Sequence, residues 1–485
     1  MTFSIFLSRQ RAKNIAPLQR VPTQGKYIAP LQRELFVFSC ASSNRLGAAT
    51  DLVLWIVLRG NSDLPMAILS EYEVQLRLLR QLKAGGADKS TLRKEAQKLK
   101  ELKRRYSNKK RKRQADRQAD RESTPAQFAE VYTYFYSPIP ADEEGFTQAF
   151  SVPGEGATEQ QISAILDFFT EKGFIVFRDV LSTNVCADTI GEIWHYLEDV
   201  FVGFDHSEPE TYHHLSSQTY GLAPVPSIFT EQIVKNRCNP NVIRAFQTVL
   251  RDQNILLSHD RWCAYRPTKS IQIGTEIVDK PNWKTKENLH VDLNPWTYFS
   301  SEPLIEDLKY DKPRDFSKEI NAVYHKGGPN VQGVLALNNN SAHDGGTVLL
   351  TGFHRCFQDW QRSLGEISRH MPSRSEELGH LVWRGKGTGS YILGQKDVLH
   401  KFKQKINMRA GSLLIWDQRI VHGSVQNDSN NFRLAQFVKA FRRKNFSQAR
   451  LHHRAKRVNE ELAKLACVAD LSDASRAALG MTLDF

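Results

Sequence analysis

GSLLIWDQRIVHGSVQNDSNNFRLAQFVKAF, residues 411–441, reads as apolar β-type runs flanking a polar cluster. Ser412–Trp416, Ile420–Ser424 and Phe432–Phe441 are rich in residues that strands favour, whereas Gln426–Asn431 consists of residues that turns favour. A hairpin centred on Asn427–Asp428 would set His422 directly across from Arg433. Opposed residues of an antiparallel pair hold their Cβ atoms about 4.5–5.5 Å apart. An imidazole and a guanidinium would then enter one cavity, with Ser424 on the same face as His422.

The rest of the body continues this texture. Gln161–Lys172 has the apolar spacing of a helix, Gly173–Arg178 (GFIVFR) reads as a buried strand, and Leu181–Tyr196 reads as a second helix capped by Ser182 or Thr183. Further short β-type runs are Cys263–Tyr265, Val331–Leu337 and Thr347–Leu350. Many short strands after a helical start predict a mainly β body with flanking helices, an antiparallel barrel or sandwich.

Asn288–Trp296 (NLHVDLNPW) supplies the second polar element. In an extended stretch the side chains of His290 and Asp292 leave the same face. With His422 they make two imidazoles and one carboxylate, a ligand set that leaves three positions open on a metal ion. Arg433 is the residue type whose fork matches a carboxylate bidentately. Trp296 is expected to line the cavity near the metal, and Tyr265 and Asn338 to contact a cosubstrate. His354, His343 and His259 compete for the third ligand position, but only His422 brings an arginine at this spacing.

The chain has 485 residues, 40% of them hydrophobic, and a formal charge of +13. That charge is not spread evenly. Residues 85–121 hold fifteen Lys/Arg against five Asp/Glu, and residues 1–121 together carry +16, leaving −3 for residues 122–485. The body therefore has no bulk electrostatic reason to bind a polyanion, and a nucleic-acid or acidic partner is expected only through residues 85–121, which include Lys109–Arg113 (KKRKR). The six cysteines form no C-x-x-C pair, which excludes a zinc ribbon. No apolar run reaches the length of a membrane span. A cytoplasmic or nuclear placement is the leading expectation; the alternative is the mitochondrion, because residues 1–33 contain arginine but no acid, as a transit peptide does.

Four segments resemble the phytanoyl-CoA dioxygenase family of iron(II)/2-oxoglutarate-dependent oxygenases over roughly Gln161 to Phe441. They are FFTEKGFIVFRDVLS (168–182), the His290-x-Asp292 motif, VLALNNNSAHDGGTVLLTGFHR (334–355, read as a strand pair), and His422 followed eleven residues later by Arg433. The sequence departs from that pattern at Thr351–His354, where the family has a Gly-Ser-His turn, and in two inserts near 300–328 and 363–405. The resemblance implies a double-stranded β-helix, a jelly-roll or cupin-type barrel. It implies iron(II) held by His290, Asp292 and His422, and 2-oxoglutarate held by Arg433 and Ser424. It also implies dioxygen as oxidant, with ascorbate supportive, and hydroxylation of a small organic or lipid-like substrate with release of succinate and carbon dioxide. A protein or nucleic-acid hydroxylase guided by the basic arm, and a non-catalytic binding barrel, are the alternatives. The expected organisation is an extension at 1–65, a basic helical segment at 66–122, a linker at 123–158, the oxygenase domain at 159–450 and a helical tail at 451–485.

Overall fold

The computed structural model describes Leu78, Leu82, Thr91, Glu95, Gln97 and Lys98, then residues 124–215, 229–285, 287–298, 310–311, 315–316, 319, 328–364 and 390–482. The chain divides into two compact units, residues 1–109 and 110–485. In the first unit the six described residues are helical, and Glu95 pairs with Lys98 at 2.8 Å. The acid-free start, most of the basic segment and the run Lys109–Arg113 lie outside the described residues.

The second unit carries fourteen described strands: β1 Phe150–Ser151, β2 Phe174–Arg178, β3 Ile255–Leu257, β4 Trp262–Tyr265, β5 Ile271–Ile273, β6 Glu276–Val278, β7 Asn288–Val291, β8 Val331–Ala336, β9 Asp344–Leu349, β10 Tyr391–Ile392, β11 Gln404–Lys405, β12 Leu413–Asp417, β13 His422–Asn427 and β14 Arg433–Arg442. One sheet runs β1-β2-β12-β8-β14-β3, with β4 also on β14; a second runs β10-β7-β13-β9-β11; β5 and β6 form a separate ribbon. All pairings are antiparallel except β1 with β2.

The strict alternation of strand side chains sorts the seven-stranded sheet into two faces. Phe174, Val176, Leu414, Trp416, Val334, Ala336, Cys263, Tyr265 and Ala435 belong to one buried cluster, which they share with Leu349 and other residues of the five-stranded sheet. Their strand neighbours Ile175, Phe177, Leu413, Ile415, Leu335, Trp262, Ala264, Leu434 and Val438 belong to another cluster, packed under helices. Gln332, Arg433 and Lys439 occupy inward positions by the same alternation, so they share the layer between the sheets.

Two helices covering the outer face have local signals in the sequence. Glu159–Lys172 starts at a capping box, with Thr158 Oγ accepting from the Gln161 amide and Gln161 Oε1 accepting from the Thr158 amide, and it ends at Gly173 in the left-handed conformation. Thr183–Val200 is capped by Ser182, which accepts from the Val185 amide. A third helix, Pro240–Leu250, buries Val242, Ile243, Ala245, Phe246, Val249 and Leu250.

Four expectations need correction. Helix exceeds strand among the described residues, so the architecture is mixed helix and sheet rather than mainly β. The reason is physical, since an apolar outer sheet face must be covered. Next, β13 and β14 are not hairpin partners: β13 pairs with β7 and β9, and β14 pairs with β8, β4 and β3. Between them the chain passes from one sheet to the other, where Asn427 Nδ2 donates to the carbonyls of Arg266 and Asn431 and the Asp428 amide donates to His343 O. Likewise β8 and β9 lie in different sheets, so 334–355 is not a strand pair. Finally, the 363–405 insert is not wholly an addition. Residues 365–389 lie outside the described residues, but β10 and β11 form both edges of the five-stranded sheet.

The stretch read as a linker carries the helix Ala126–Thr133, whose Phe128 and Tyr132 are buried; Tyr132 Oη donates to Thr351 O at 2.8 Å. At the other end of the chain the helix Gln448–Leu462 buries Arg454. This arginine donates through Nε to Glu319 at 2.6 Å, through Nη1 to Leu479 O and through Nη2 to Leu257 O. Both side chains of the pair are almost fully buried. Removing one member of a buried pair leaves the other charge uncompensated, so Glu319→Ala should cost about 3–5 kcal/mol in urea unfolding.

Candidate metal centre

Strands β7 and β13 pair in a register that sets His290 directly opposite His422. The two rings lie 4.4 Å apart between centroids. Asp292 follows one residue beyond β7, and its carboxylate closes the group. Asp292 Oδ1 is 3.5 Å from His290 Nε2, and Oδ2 is 3.8 Å from His422 Nε2. One ligand atom from each of the three residues lies within 4.8 Å of the others.

The imidazoles are oriented by their other nitrogens. His290 Nδ1 donates to Asn288 Oδ1 at 3.1 Å, and His422 Nδ1 donates to Ile420 O at 2.9 Å. A proton fixed on Nδ1 leaves Nε2 as a bare lone pair, and both Nε2 atoms face the carboxylate. The same Asn288 donates through Nδ2 to Ser424 Oγ at 3.1 Å, which ties Ser424 to the His290 strand. Asp292 accepts from Gln332 Nε2 on Oδ2 and from Ser390 Oγ on Oδ1, both at 2.8 Å. Burial opposes the Asp292 charge, but the neighbouring imidazoles and Lys439 hold its pKa well below the usual carboxylate range. Burial, then the adjacent His422, pushes the His290 imidazole down to about 4. Both residues are therefore in their ligating protonation states near neutrality.

Close pairing of the two histidine strands requires Gly423. A Cβ on that residue would sit 1.8 Å from Asn288 O. The facing sheet supplies an inner row of Trp416, Gln332 and Lys439, in which Trp416 opposes Gln332 and Gln332 opposes Lys439. The Trp416 ring lies 5.2 Å from that of His422. Trp416 Nε1 and Gln332 Oε1 are buried with no hydrogen-bond partner among the described residues. Orphaned polar atoms beside three converging donors fit a centre built to take a metal ion and further polar ligands.

Arg433 stands in a different place from the one the sequence predicts. Its strand partner is Tyr265, not His422. The guanidinium is buried, donates to Cys263 Sγ at 2.9 Å and lies 5.2 Å from the Tyr265 ring centre. Asn338 spends its amide on the backbone beside Arg433, donating to Phe432 O and accepting from the Leu434 amide. Burial, then the charge of the nearby Arg433, pushes the Lys405 ammonium down to about 7, so this lysine gives up its proton easily beside the guanidinium. Trp296 lies in the short helix Pro295–Tyr298, and its side chain is not among those described. Of the competing histidines, His354 is bonded to Thr170 O and His259 to Leu479 O, and neither belongs to the group.

Sequence reasoning missed Gln332, Ser390, Asn288, Trp416 and Lys405. Two of them carried a signal: Gln332 as a polar residue inside the otherwise apolar run Val331–Leu337, and Asn288 two residues before His290 on the same strand face. Ser390, Trp416 and Lys405 reach the site through pairings of distant strands.

No family model matches the sequence. A Dictyostelium discoideum protein assigned by name to the phytanoyl-CoA dioxygenases is 31% identical over 302 residues, which cover 60% of this chain and 79% of that protein. The Aspergillus versicolor Ava biosynthesis cluster protein O is 22% identical over 287 residues, covering 56% and 75%. Among solved structures, the epimerase SnoN in complex with Fe3+, alpha-ketoglutarate and nogalamycin RO matches at 10% identity and a TM-score of 0.35, covering 59% and 84%. A structural likeness this distant carries no weight for the reaction.

Removing the Gln332 contact should loosen the carboxylate. Gln332→Leu is expected to weaken Mn(II) binding about 10–100-fold in equilibrium dialysis while circular dichroism is preserved. The folded pKa of His290 lies below its unfolded value of about 6.5, so unfolded chains take up a proton that the folded state refuses. Metal-free protein should thus lose stability as pH falls from about 6.5 to 4, and His290→Asn should flatten that limb by up to about 3 kcal/mol in urea titrations.

Proposed function

Because the chain belongs to the phytanoyl-CoA dioxygenase family, we propose that residues 159–450 act as an iron(II)- and 2-oxoglutarate-dependent oxygenase built on a double-stranded β-helix. The observation that carries this reading is the convergence of His290 Nε2, Asp292 and His422 Nε2, with each Nδ1 proton already committed to an oxygen. Two neutral imidazoles and one carboxylate suit iron(II) and leave open positions for oxygen ligands.

The chemistry that iron supplies when held there is activation of dioxygen, coupled to decarboxylation of 2-oxoglutarate to succinate and carbon dioxide, with one oxygen atom passed to the substrate. The chain's own residues bind and orient. Arg433 is assigned to the distal carboxylate of 2-oxoglutarate, because a buried guanidinium with no carboxylate partner among the described residues is a strong anion receptor. Ser424 adds a hydroxyl. Tyr265 braces the guanidinium from its ring face, and Asn338 fixes the backbone on either side of it. Lys405 stands near Arg433, and with its ammonium pushed down to about 7 it is only partly charged near neutrality. Trp296 is assigned to the cavity wall.

The row of Trp416, Gln332 and Lys439 bears on the substrate. An N–H donor, a carbonyl acceptor and an ammonium group beside the metal favour a small organic molecule with oxygen functions near the carbon that is oxidised. Lys439 is held by Asp260 at 3.2 Å, which keeps its charge in place.

His290→Ala and Asp292→Ala should abolish iron-dependent succinate formation from 2-oxoglutarate under reducing conditions. Arg433→Ala should raise the 2-oxoglutarate KM by roughly a hundredfold, the size of losing a charge-assisted pair of about 3 kcal/mol, with the iron requirement little changed. Wild-type protein that binds no iron when purified anaerobically would favour a non-catalytic barrel.

A further inference from the structure

A cavity of about 610 Å³ lies on the far side of the seven-stranded sheet from the metal centre. Strand alternation separates the two. Trp416 faces inward toward His422, so Asp417 faces outward; Lys439 faces inward, so Arg442, three residues on, faces outward. The outward pair forms the cavity floor. Leu166, Phe169, Val249, Leu250 and Pro329 supply an apolar wall from two helices and the approach to β8.

The polar lining is strongly cationic. Arg251, Arg419, Arg442 and Lys444 stand there against Asp417. Arg419 is neutralised by Asp417 through two contacts, at 2.9 and 2.7 Å. Arg442 and Lys444 share a single acid, Asp252, at 4.0 and 3.4 Å. The Arg442 guanidinium is otherwise spent on main-chain carbonyls, of Pro329 at 2.6 Å and Leu250 at 2.8 Å, which satisfy its protons without cancelling its charge. Arg251, at the left-handed end of its helix, adds another cation at the rim. The lining with Asp252 thus holds four cations and two acids. Arg442 is largely buried, and Arg251 and Lys444 are exposed at the mouth; a cationic excess beside an apolar wall is the arrangement that holds an anionic head on a compact apolar body.

We propose that this cavity binds a small organic anion, a carboxylate or phosphate monoester with an aromatic or short aliphatic body, at a site separate from the metal centre. The charged head sits among Arg251, Arg442 and Lys444, and the body lies against Phe169, Leu166 and Val249. The site can bear on the metal centre through two links. The loop that begins at Asp417 leads directly into His422. Tyr298, in the short helix after Asp292, lies within electrostatic range of Arg419, Asp417 and Arg442.

The test is calorimetric titration of the full chain, in a chelating buffer that keeps it metal-free, with phenyl phosphate, benzoate and inorganic phosphate. Saturable binding of phenyl phosphate or benzoate is expected, and the tighter of the two identifies the head group. Inorganic phosphate should bind at least roughly tenfold more weakly, since it leaves the apolar wall bare. The double variant Arg251→Gln, Lys444→Gln, at residues with no buried structural role, should weaken binding roughly tenfold. His290→Ala should bind as wild type does, which keeps this result independent of the oxygenase reading. Equal affinity for inorganic and phenyl phosphate would overturn the proposal. So would no saturable binding of any probe, or binding that His290→Ala abolishes and the double variant spares.

Discussion

The register of one strand pair governs this protein's candidate site. His290 and His422 are 132 residues apart in sequence and directly opposed across β7 and β13. A slip of one residue would turn one imidazole to the other face of the sheet. Gly423 holds the pair close, because any side chain there would strike the Asn288 carbonyl. Asn288 then uses its two amide ends to fix His290 and Ser424 together. Backbone pairing sets the distance between the ligands, and side-chain hydrogen bonds set which nitrogen faces the centre.

The second sheet finishes what the first begins. Its inner face is apolar for most of its area, and the exceptions are informative: Gln332, Lys439 and Arg433 are polar or charged groups placed in a buried layer. Such groups are costly unless they are paired or serve a ligand. Gln332 braces Asp292, Lys439 answers Asp260, and among the described residues Arg433 meets a thiol and a ring face and no carboxylate. The least compensated of the three is the one best suited to an anion. The outer face of the same sheet repeats the pattern at the cavity between helices, where cations exceed acids beside an apolar wall.

The sequence made the ingredients of the site legible but not their arrangement. The spacing of His290 and Asp292 on extended chain was sufficient to place them on one face, since that depends only on the two-residue period of a strand. The pairing of His422 with Arg433 was argued from a hairpin that does not form. The two residues lie on strands of different sheets, and local apolar pattern does not distinguish a turn from a crossing. Ser390 and Lys405 were hidden for a related reason, because the stretch read as an insert contributes both edge strands of the five-stranded sheet.

What the sequence determined by itself follows from short-range physics. It set the capped helices Glu159–Lys172 and Thr183–Val200, most of the strands, the confinement of the net positive charge to residues 1–121, and the residue types that suit a metal and an acid cosubstrate. Only the tertiary structure decided which strands are neighbours, and hence that Trp416, Gln332 and Lys439 form a row facing the triad and that Arg433 stands with Tyr265. Side-chain alternation repeats every two residues and is written locally. Sheet order depends on which distant segments bury their apolar faces against each other, and that is settled only when the whole chain is packed.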